Sequence, residues 1–274
     1  MTDAPSLTFA FGHNTVTFST PNRALCDLMA FVFHAFRGTD APPVAALRDV
    51  PDPAQEAEYV ARMDGDEWTF ASFGRALLAL EDRLAYRLLA DSGHLLLHAG
   101  AVTDGERIVL IPGPSGAGKS SVTLEYVRRG FRFIADEYVA LDVAGACLHP
   151  FPRSAVLKTA ARDWPAEECL VLESDVGARS FVLPTHRVAL DPLPIGDLSI
   201  VFPRHALGSQ TRVQALDAAQ ACARLLPNTF NFEDEEDRLW PTLSGLAVRA
   251  TAFAVDFGDA SDVPGAVPAF PASD

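Results

Sequence analysis

The chain has 274 residues, 49% of them apolar and 21% charged, and a formal net charge of -14. It is long enough to bury one large core or two modest ones, and its acidic balance argues against a nucleic-acid partner, whose phosphates it would repel. The richest apolar stretches, 24–36 and 77–89, are broken by Asp27, His34, Glu81, Asp82, Arg83 and Arg87, so no membrane span is expected. The opening residues lack a secretory pattern and Cys26, Cys147, Cys169 and Cys222 are scattered, so a cytoplasmic protein with reduced thiols is expected.

Residues 6–11 and 14–19 read as short strands around a turn at Gly12 and His13. A helix is expected to start with Thr20 as cap and Pro21 in its first turn, carrying Leu25, Leu28, Met29, Val32 and Phe36 on one face. A polar, proline-bearing loop over 39–53 leads to a second amphipathic helix marked by Leu77, Leu80, Leu84 and Leu88, ending near Gly93. The apolar runs 95–103 and 107–112 flank Asp104 and Gly105, a hairpin signal. In ordinary parallel, doubly wound nucleotide-binding folds the second of these strands is reached through a helix. A hairpin at this point therefore predicts a mixed sheet. A short helix over 121–129 follows, with Arg128 and Arg129 near its negative end and Gly130 closing it. Further strands are expected over 131–135, 139–142, 148–151, 199–202, 212–216 and 252–257, and a helix over 217–226. Residues 258–274, rich in Ala, Pro, Ser and Asp, are expected to form a flexible C-terminal tail.

Between the strand at 107–112 and the helix after it, residues 113–120 read GPSGAGKS, a complete GxxxxGK[ST] phosphate loop. From average composition, a chain of this length shows that motif by chance roughly once in a hundred. Gly113, Gly116 and Gly118 let the backbone turn tightly, so that several N–H groups, Ser115, Ala117 and Ser121 included, converge beside the positive end of a helix. Lys119 is expected to reach the outer phosphates of ATP, and the Ser120 hydroxyl to ligate Mg²⁺.

Asp136 and Glu137 close the strand that follows the loop helix. Magnesium takes hard oxygen ligands, and a hydroxyl attacking a phosphate needs a carboxylate to orient it and take its proton. The pair can face the triphosphate if its strand lies beside residues 107–112. His98, on the first hairpin strand, taken alone reads most simply as a core histidine; its nearness to the loop adds a reading as a phosphate contact or a tuner of Asp136.

With residues 97–100 (LHAG), the loop, Gly130 with Phe131, and the run Ala135, Asp136, Glu137, the chain resembles the HPr kinase/phosphorylase family. It is more similar still to the compact HPr-kinase-like proteins of bacterial peptide modification and amino-acid phosphorylation. The resemblance spans about residues 94–158 and includes the run PFPR ending at Arg153. It implies an α/β fold: a mixed-sheet P-loop kinase core of the HPr kinase/phosphoenolpyruvate carboxykinase type over 94–257, with an N-terminal α+β region over 1–93. It implies Lys119 as the phosphate clamp, Ser120 as a metal ligand, Asp136 as the base, Glu137 as a second acidic group at the metal, and His98 near the transferred phosphate. Two departures stand out. The family usually has two aspartates at 136–137, and the downstream glycine-rich signature of the reverse, phosphorolytic reaction is missing, so that activity is not expected. Family members are often oligomers, which makes a homo-oligomer an expectation from resemblance.

Arg153, Lys158, Arg187 and Arg204 are the cations considered for the transferring phosphoryl group, with Arg153 favoured for substrate because it follows a proline-constrained turn. The acidic run 233–237 reads as a solvated loop, or more sharply as a dock for a basic leader peptide. The expectation is an ATP- and Mg²⁺-dependent kinase acting on a serine-type hydroxyl of a peptide or small protein. The alternatives are a kinase for a small molecule such as free serine and a nucleotide-sensing module that does not transfer. No NKxD motif supports a GTPase.

Overall fold

The computed structural model describes residues 5–36, 59–90, 92–144, 146–159, 161, 163–175, 177–232 and 235–267. The chain divides into two units, Met1–Ser92 with Val156–Leu183, and Gly93–Ala155 with Pro184–Asp274. The loop expected over 39–53 lies outside the described residues.

In the first unit, Ser6–Phe11, Asn14–Ser19, Tyr59–Met63 and Asp66–Phe70 form an antiparallel sheet in that order. Period-two alternation sets its core face, which buries Leu7, Phe9, Val16 and Phe18. The second hairpin, passed over in the sequence, turns at Asp64 and Gly65, whose φ values of 51° and 91° suit a tight two-residue loop. The first helix, Arg23–Val32, is capped by Asn22, whose side chain accepts from Leu25 N, and not by Thr20. Thr20 instead donates its hydroxyl to Val60 O at 2.6 Å, so it ties the strands together. The second helix, Phe73–Leu89, has Ser72 as its cap. Asp175 completes that helix start, accepting from Ser72 Oγ at 2.7 Å and Gly74 N at 3.2 Å. These bonds join Val156–Leu183 to the rest of the first unit. That segment carries its own antiparallel pair, Cys169–Leu172 with Arg179–Val182.

The second unit is α/β. Among the described residues it is built on a nine-stranded mixed sheet whose path runs Leu193–Pro194, Cys147–His149, Tyr138–Leu141, Leu95–Thr103, Arg107–Pro112, Asp197–His205, Thr251–Phe257, Arg212–Leu216, with Arg132–Ala135 also paired to Leu95–Thr103. The hairpin between Leu95–Thr103 and Arg107–Pro112 is antiparallel, while Asp197–His205 runs parallel to both of its neighbours. The expected mixed sheet is therefore present. Its central strands are nearly continuous buried apolar runs, as strands covered on both faces must be.

Two expectations for this unit fail. Residues 236 and 237 are not loop: preceded by Glu235 at the cap position, Glu236 and Asp237 sit in the first turn of a helix, Glu236–Arg249, where negative charge offsets the helix dipole. Residues 233 and 234 lie outside the described residues. Nor is the chain a tail from 258 onward, since a 3₁₀ turn, Ala260–Asp262, and a short helix, Val263–Ala266, follow, with Val263 and Val267 buried. Arg129 Nη2 donates to Ser261 O at 2.6 Å and ties this segment to the end of the loop helix. Among the described residues, no helix is long and apolar enough to cross a membrane.

Candidate functional site

The glycine-rich loop joins the strand Arg107–Pro112 to the helix Lys119–Arg128. Gly116 and Gly118 have φ values of 87° and 96°, a backbone that side chains resist, and a Cβ on Gly118 would lie 2.6 Å from the Phe257 ring. Gly118 occupies the cap position with no side-chain cap, so the first N–H groups of the helix are left for a ligand. Pro114, Ser115 and Gly116 are exposed, Ala117, Gly118, Ser120 and Ser121 half-buried, and Gly113 and Lys119 buried. Backbone bonds fix the loop at three points: Gly113 N to His98 O, Ala117 N to Pro114 O, and His205 N to Ala117 O.

Asp136 and Glu137 are not on a strand beside Arg107–Pro112, as the sequence reading required. The strand Arg132–Ala135 pairs with Leu95–Thr103 instead, which places the acidic pair one strand further away. They still meet the loop. Ser120 Oγ donates to Asp136 Oδ2 at 2.7 Å. The explanation lies at Gly100, between them in the sheet. A Cβ there would stand 2.0 Å from Thr123 Oγ1 and 3.4 Å from Asp136 Oδ1. Without it, the buried face of the loop helix closes on the strand and the Asp136 carboxylate passes through to Ser120. A glycine inside an apolar strand is the usual mark of such close approach.

Glu137 sits at the break where the chain leaves Arg132–Ala135 and starts Tyr138–Leu141, with φ of 76°, a left-handed conformation that costs a non-glycine residue about 1 kcal/mol. The kink turns Glu137 toward His98 while its neighbour turns inward. His98 Nε2 lies 2.8 Å from Glu137 Oε1 and also 2.8 Å from Lys119 Nζ. One ring nitrogen cannot donate to the carboxylate and accept from the ammonium at once, so the tautomer decides which of the two His98 holds. Lys119 Nζ also donates to Pro114 O at 3.4 Å. The lysine is thus folded over its own loop, 5% exposed.

The surroundings push the two carboxylates in opposite directions. Burial, then repulsion from Glu137, pushes Asp136 above the usual carboxylate range, against the opposing pull of Ser120, Lys119 and Arg153. Glu137 is also desolvated, which alone would raise it, but the His98 hydrogen bond and the charges of His98, Lys119 and Arg153 outweigh burial and bring it down to about 2. Two neighbouring acids pushed apart in this way are the kind of pair whose roles an environment can divide.

Of the four cations considered, Arg153 is at the site: it is buried, it bears electrostatically on both acids, and its guanidinium stands 5.5 Å from the Tyr138 ring centre. Arg187 donates to Val127 O at 2.7 Å, at the C-terminal end of the loop helix. Arg204 is bound to Asp256, and Lys158 belongs to the other unit. Sequence reasoning missed the aromatic ledge beside His98. Tyr138 and Phe230 stack at 4.7 Å, and Phe230, half exposed, lies 5.3 Å from His98. Phe230 is held there because Phe230 N donates to Leu96 O at 2.9 Å while Asn231 spans Leu96 N and His94 O. The residues TFN at 229–231 carry no local signal for this role.

Ser120 Oγ and the Asp136 and Glu137 carboxylates are hard oxygen donors, and Asp136 Oδ1 is buried without a hydrogen-bond partner among the described residues. That donor set fits Mg²⁺, which takes one or two carboxylates and completes its shell from phosphate and water. No cluster of three or more His, Cys, Asp or Glu side chains able to hold a metal occurs among the described residues.

No protein-family model matches the chain. Among curated proteins, it is similar to a bifunctional pantoate ligase/cytidylate kinase of Synechococcus sp. (strain CC9902), 33% identical over 119 residues. The match covers 40% of this chain and 22% of that protein, so the chain spans about a fifth of its relative's length.

Two predictions follow from this geometry. Gly100→Ala should lower unfolding free energy by about 1–3 kcal/mol, as overpacking does, and Thr123→Ala in the same chain should recover much of the loss; denaturant titration of both variants reads it, and an unperturbed single variant contradicts the close-approach account. The second concerns pH. Because Glu137 titrates near 2 when folded against an ordinary 4.5, its contribution to stability is complete above pH 4.5 and lost as pH falls toward 2. Asp136 acts in the opposite sense, its ionisation costing stability as pH rises through its folded value. In metal-free buffer Glu137→Gln should flatten the acid limb of the stability profile, and Asp136→Asn should be more stable than the parent at neutral pH. An acid limb unchanged in Glu137→Gln counts against the assignment.

Proposed function

We propose that this chain is an ATP- and Mg²⁺-dependent kinase of the HPr-kinase-like type, transferring the γ-phosphoryl group to a serine-type hydroxyl of a peptide or small protein. The observation that carries the reading is the 2.7 Å contact between Ser120, next to the loop lysine, and the buried carboxylate of Asp136. It brings an anion cradle and a proton acceptor to one point. The relative matched in part is a pantoate ligase/cytidylate kinase, which supports the use of ATP.

In this mechanism the loop N–H groups and the start of the helix Lys119–Arg128 hold the β- and γ-phosphates, and Lys119 leaves Pro114 O and His98 for a phosphate oxygen. Mg²⁺, held by Ser120 with Asp136 or Glu137, would neutralise charge on the phosphate oxygens. Asp136 orients the acceptor hydroxyl and takes its proton as the O–P bond forms and ADP departs; its raised pKa brings it closer to the operating pH, which suits a base. Once Lys119 has moved, His98 is free to donate to Glu137, which stays ionised and keeps the ring oriented. Arg153, pressed against Tyr138, adds positive charge on the acceptor side.

A second reading has its own support. The partly matched relative is a pantoate ligase/cytidylate kinase, and pantoate and cytidylate are small molecules, which favours a small hydroxyl compound as acceptor.

Transfer of labelled γ-phosphate from Mg·ATP into a size-fractionated cell extract tests these readings together. Label in peptides or proteins, lost in Asp136→Asn by about 10²–10⁴-fold, supports the first, and label confined to small molecules the second. Asp136→Asn should retain nucleotide binding, whereas Lys119→Ala should lose both binding and transfer. Turnover within about tenfold of the parent in Asp136→Asn removes it as the base, and ATP binding without any transfer makes the chain a nucleotide sensor.

A further inference from the structure

The glycine-rich loop has a second side. A cavity of about 840 Å³ opens against Gly113, Gly116 and Ala117 and is walled by the strands Asp197–His205, Arg212–Leu216 and Thr251–Phe257 and by the helix Ala218–Leu225. None of His98, Lys119, Asp136 and Glu137 lines it. The sheet order explains why. The acidic pair lies on the Leu95–Thr103 side of the loop strand, and the cavity on the Asp197–His205 side.

With the γ end of a triphosphate at Lys119 and Asp136, the open space for the rest of the molecule is on the other side of the loop, where Gly113, Gly116 and Ala117 line this cavity. An acceptor must meet the γ end, so the cavity is not where the acceptor hydroxyl reacts. The lining agrees. Phe202 and Val213 supply apolar surface, and the Arg224 guanidinium stands 5.9 Å from the Phe202 ring centre. Gln214 brings an amide able both to donate and to accept. Arg204, Arg212 and Arg224 face one carboxylate, Asp256, which Arg204 already engages at 2.6 and 2.5 Å. In a chain of net charge -14 this is a local excess of positive charge beside the loop. Planar apolar surface, a two-way amide and spare guanidinium charge are what a nucleobase joined to a phosphate requires.

We propose that this cavity holds the nucleoside half of the donor nucleotide, the base resting against Phe202 and Arg224 with its edge toward Gln214. The assignment rests on the reading of the loop as a triphosphate site. Gln214 and Arg224 are exposed, so replacing them spares the core.

The test compares dissociation constants for Mg·ATP and for inorganic tripolyphosphate with Mg²⁺, which has the phosphates and no nucleoside. The parent should bind ATP at least about tenfold tighter than tripolyphosphate, the worth of one good base contact. The double variant Gln214→Ala/Arg224→Lys, which keeps the charge and removes the planar guanidinium and the amide, should close that gap and leave tripolyphosphate affinity unchanged, and Lys119→Ala should weaken both ligands. If the parent binds the two ligands equally, or the double variant weakens both alike, the cavity does not hold the nucleoside. If neither ligand binds the parent, the phosphate-loop reading fails and takes this assignment with it. Should the double variant melt lower than the parent, Gln214→Ala alone gives the same reading.

Discussion

Everything at this site depends on the missing side chain at Gly100. The strand Leu95–Thr103 lies between the loop strand and the strand that delivers the acids, and any Cβ at residue 100 would collide with Thr123 on the loop helix. Because the position is bare, the helix packs down with Thr123 fully buried, and Asp136 reaches Ser120 across an intervening strand. A loop that can cradle phosphate and a carboxylate that can take a proton would otherwise stand on separate strands with a side chain between them.

On a straight strand adjacent side chains point to opposite faces of the sheet. The left-handed turn at Glu137 breaks that alternation, and both carboxylates lie at the loop, Asp136 on Ser120 and Glu137 on His98. Their surroundings then push the two acids in opposite directions, Asp136 up through burial and Glu137 down through its cationic neighbours. The same turn sets His98 between Glu137 and Lys119, competing for one ring nitrogen. In the proposed mechanism a phosphate that draws the lysine away would resolve the competition and so couple ligand binding to the orientation of the histidine through a single atom.

Local signals made much of this legible. The GPSGAGKS run, the Asp104–Gly105 turn and the acids at a strand end are each read over a few residues, and the structure brings the loop, His98, Asp136, Glu137 and Arg153 together. What the sequence hid was non-local. That Arg132–Ala135 pairs with the hairpin strand and not with the loop strand depends on sheet order, which the residues of neither strand encode. The role of Gly100 appears only once Thr123 is seen opposite it. Pro241 and Gly245 obscured the helix Glu236–Arg249, whose acidic start looked like a solvated run. Phe230 reaches His98 through backbone bonds to Leu96 that no pattern in residues 229–231 foretells.

The central claim is that the loop and the buried acid form one Mg·nucleotide site, and the melting temperature of the intact chain tests it most directly. A ligand at a hundred times its dissociation constant adds about 2.7 kcal/mol to the folded state. The account therefore predicts a rise of several degrees with Mg·ATP and a much smaller one with ATP and a chelator. A melting temperature indifferent to Mg·ATP at millimolar concentration would contradict it.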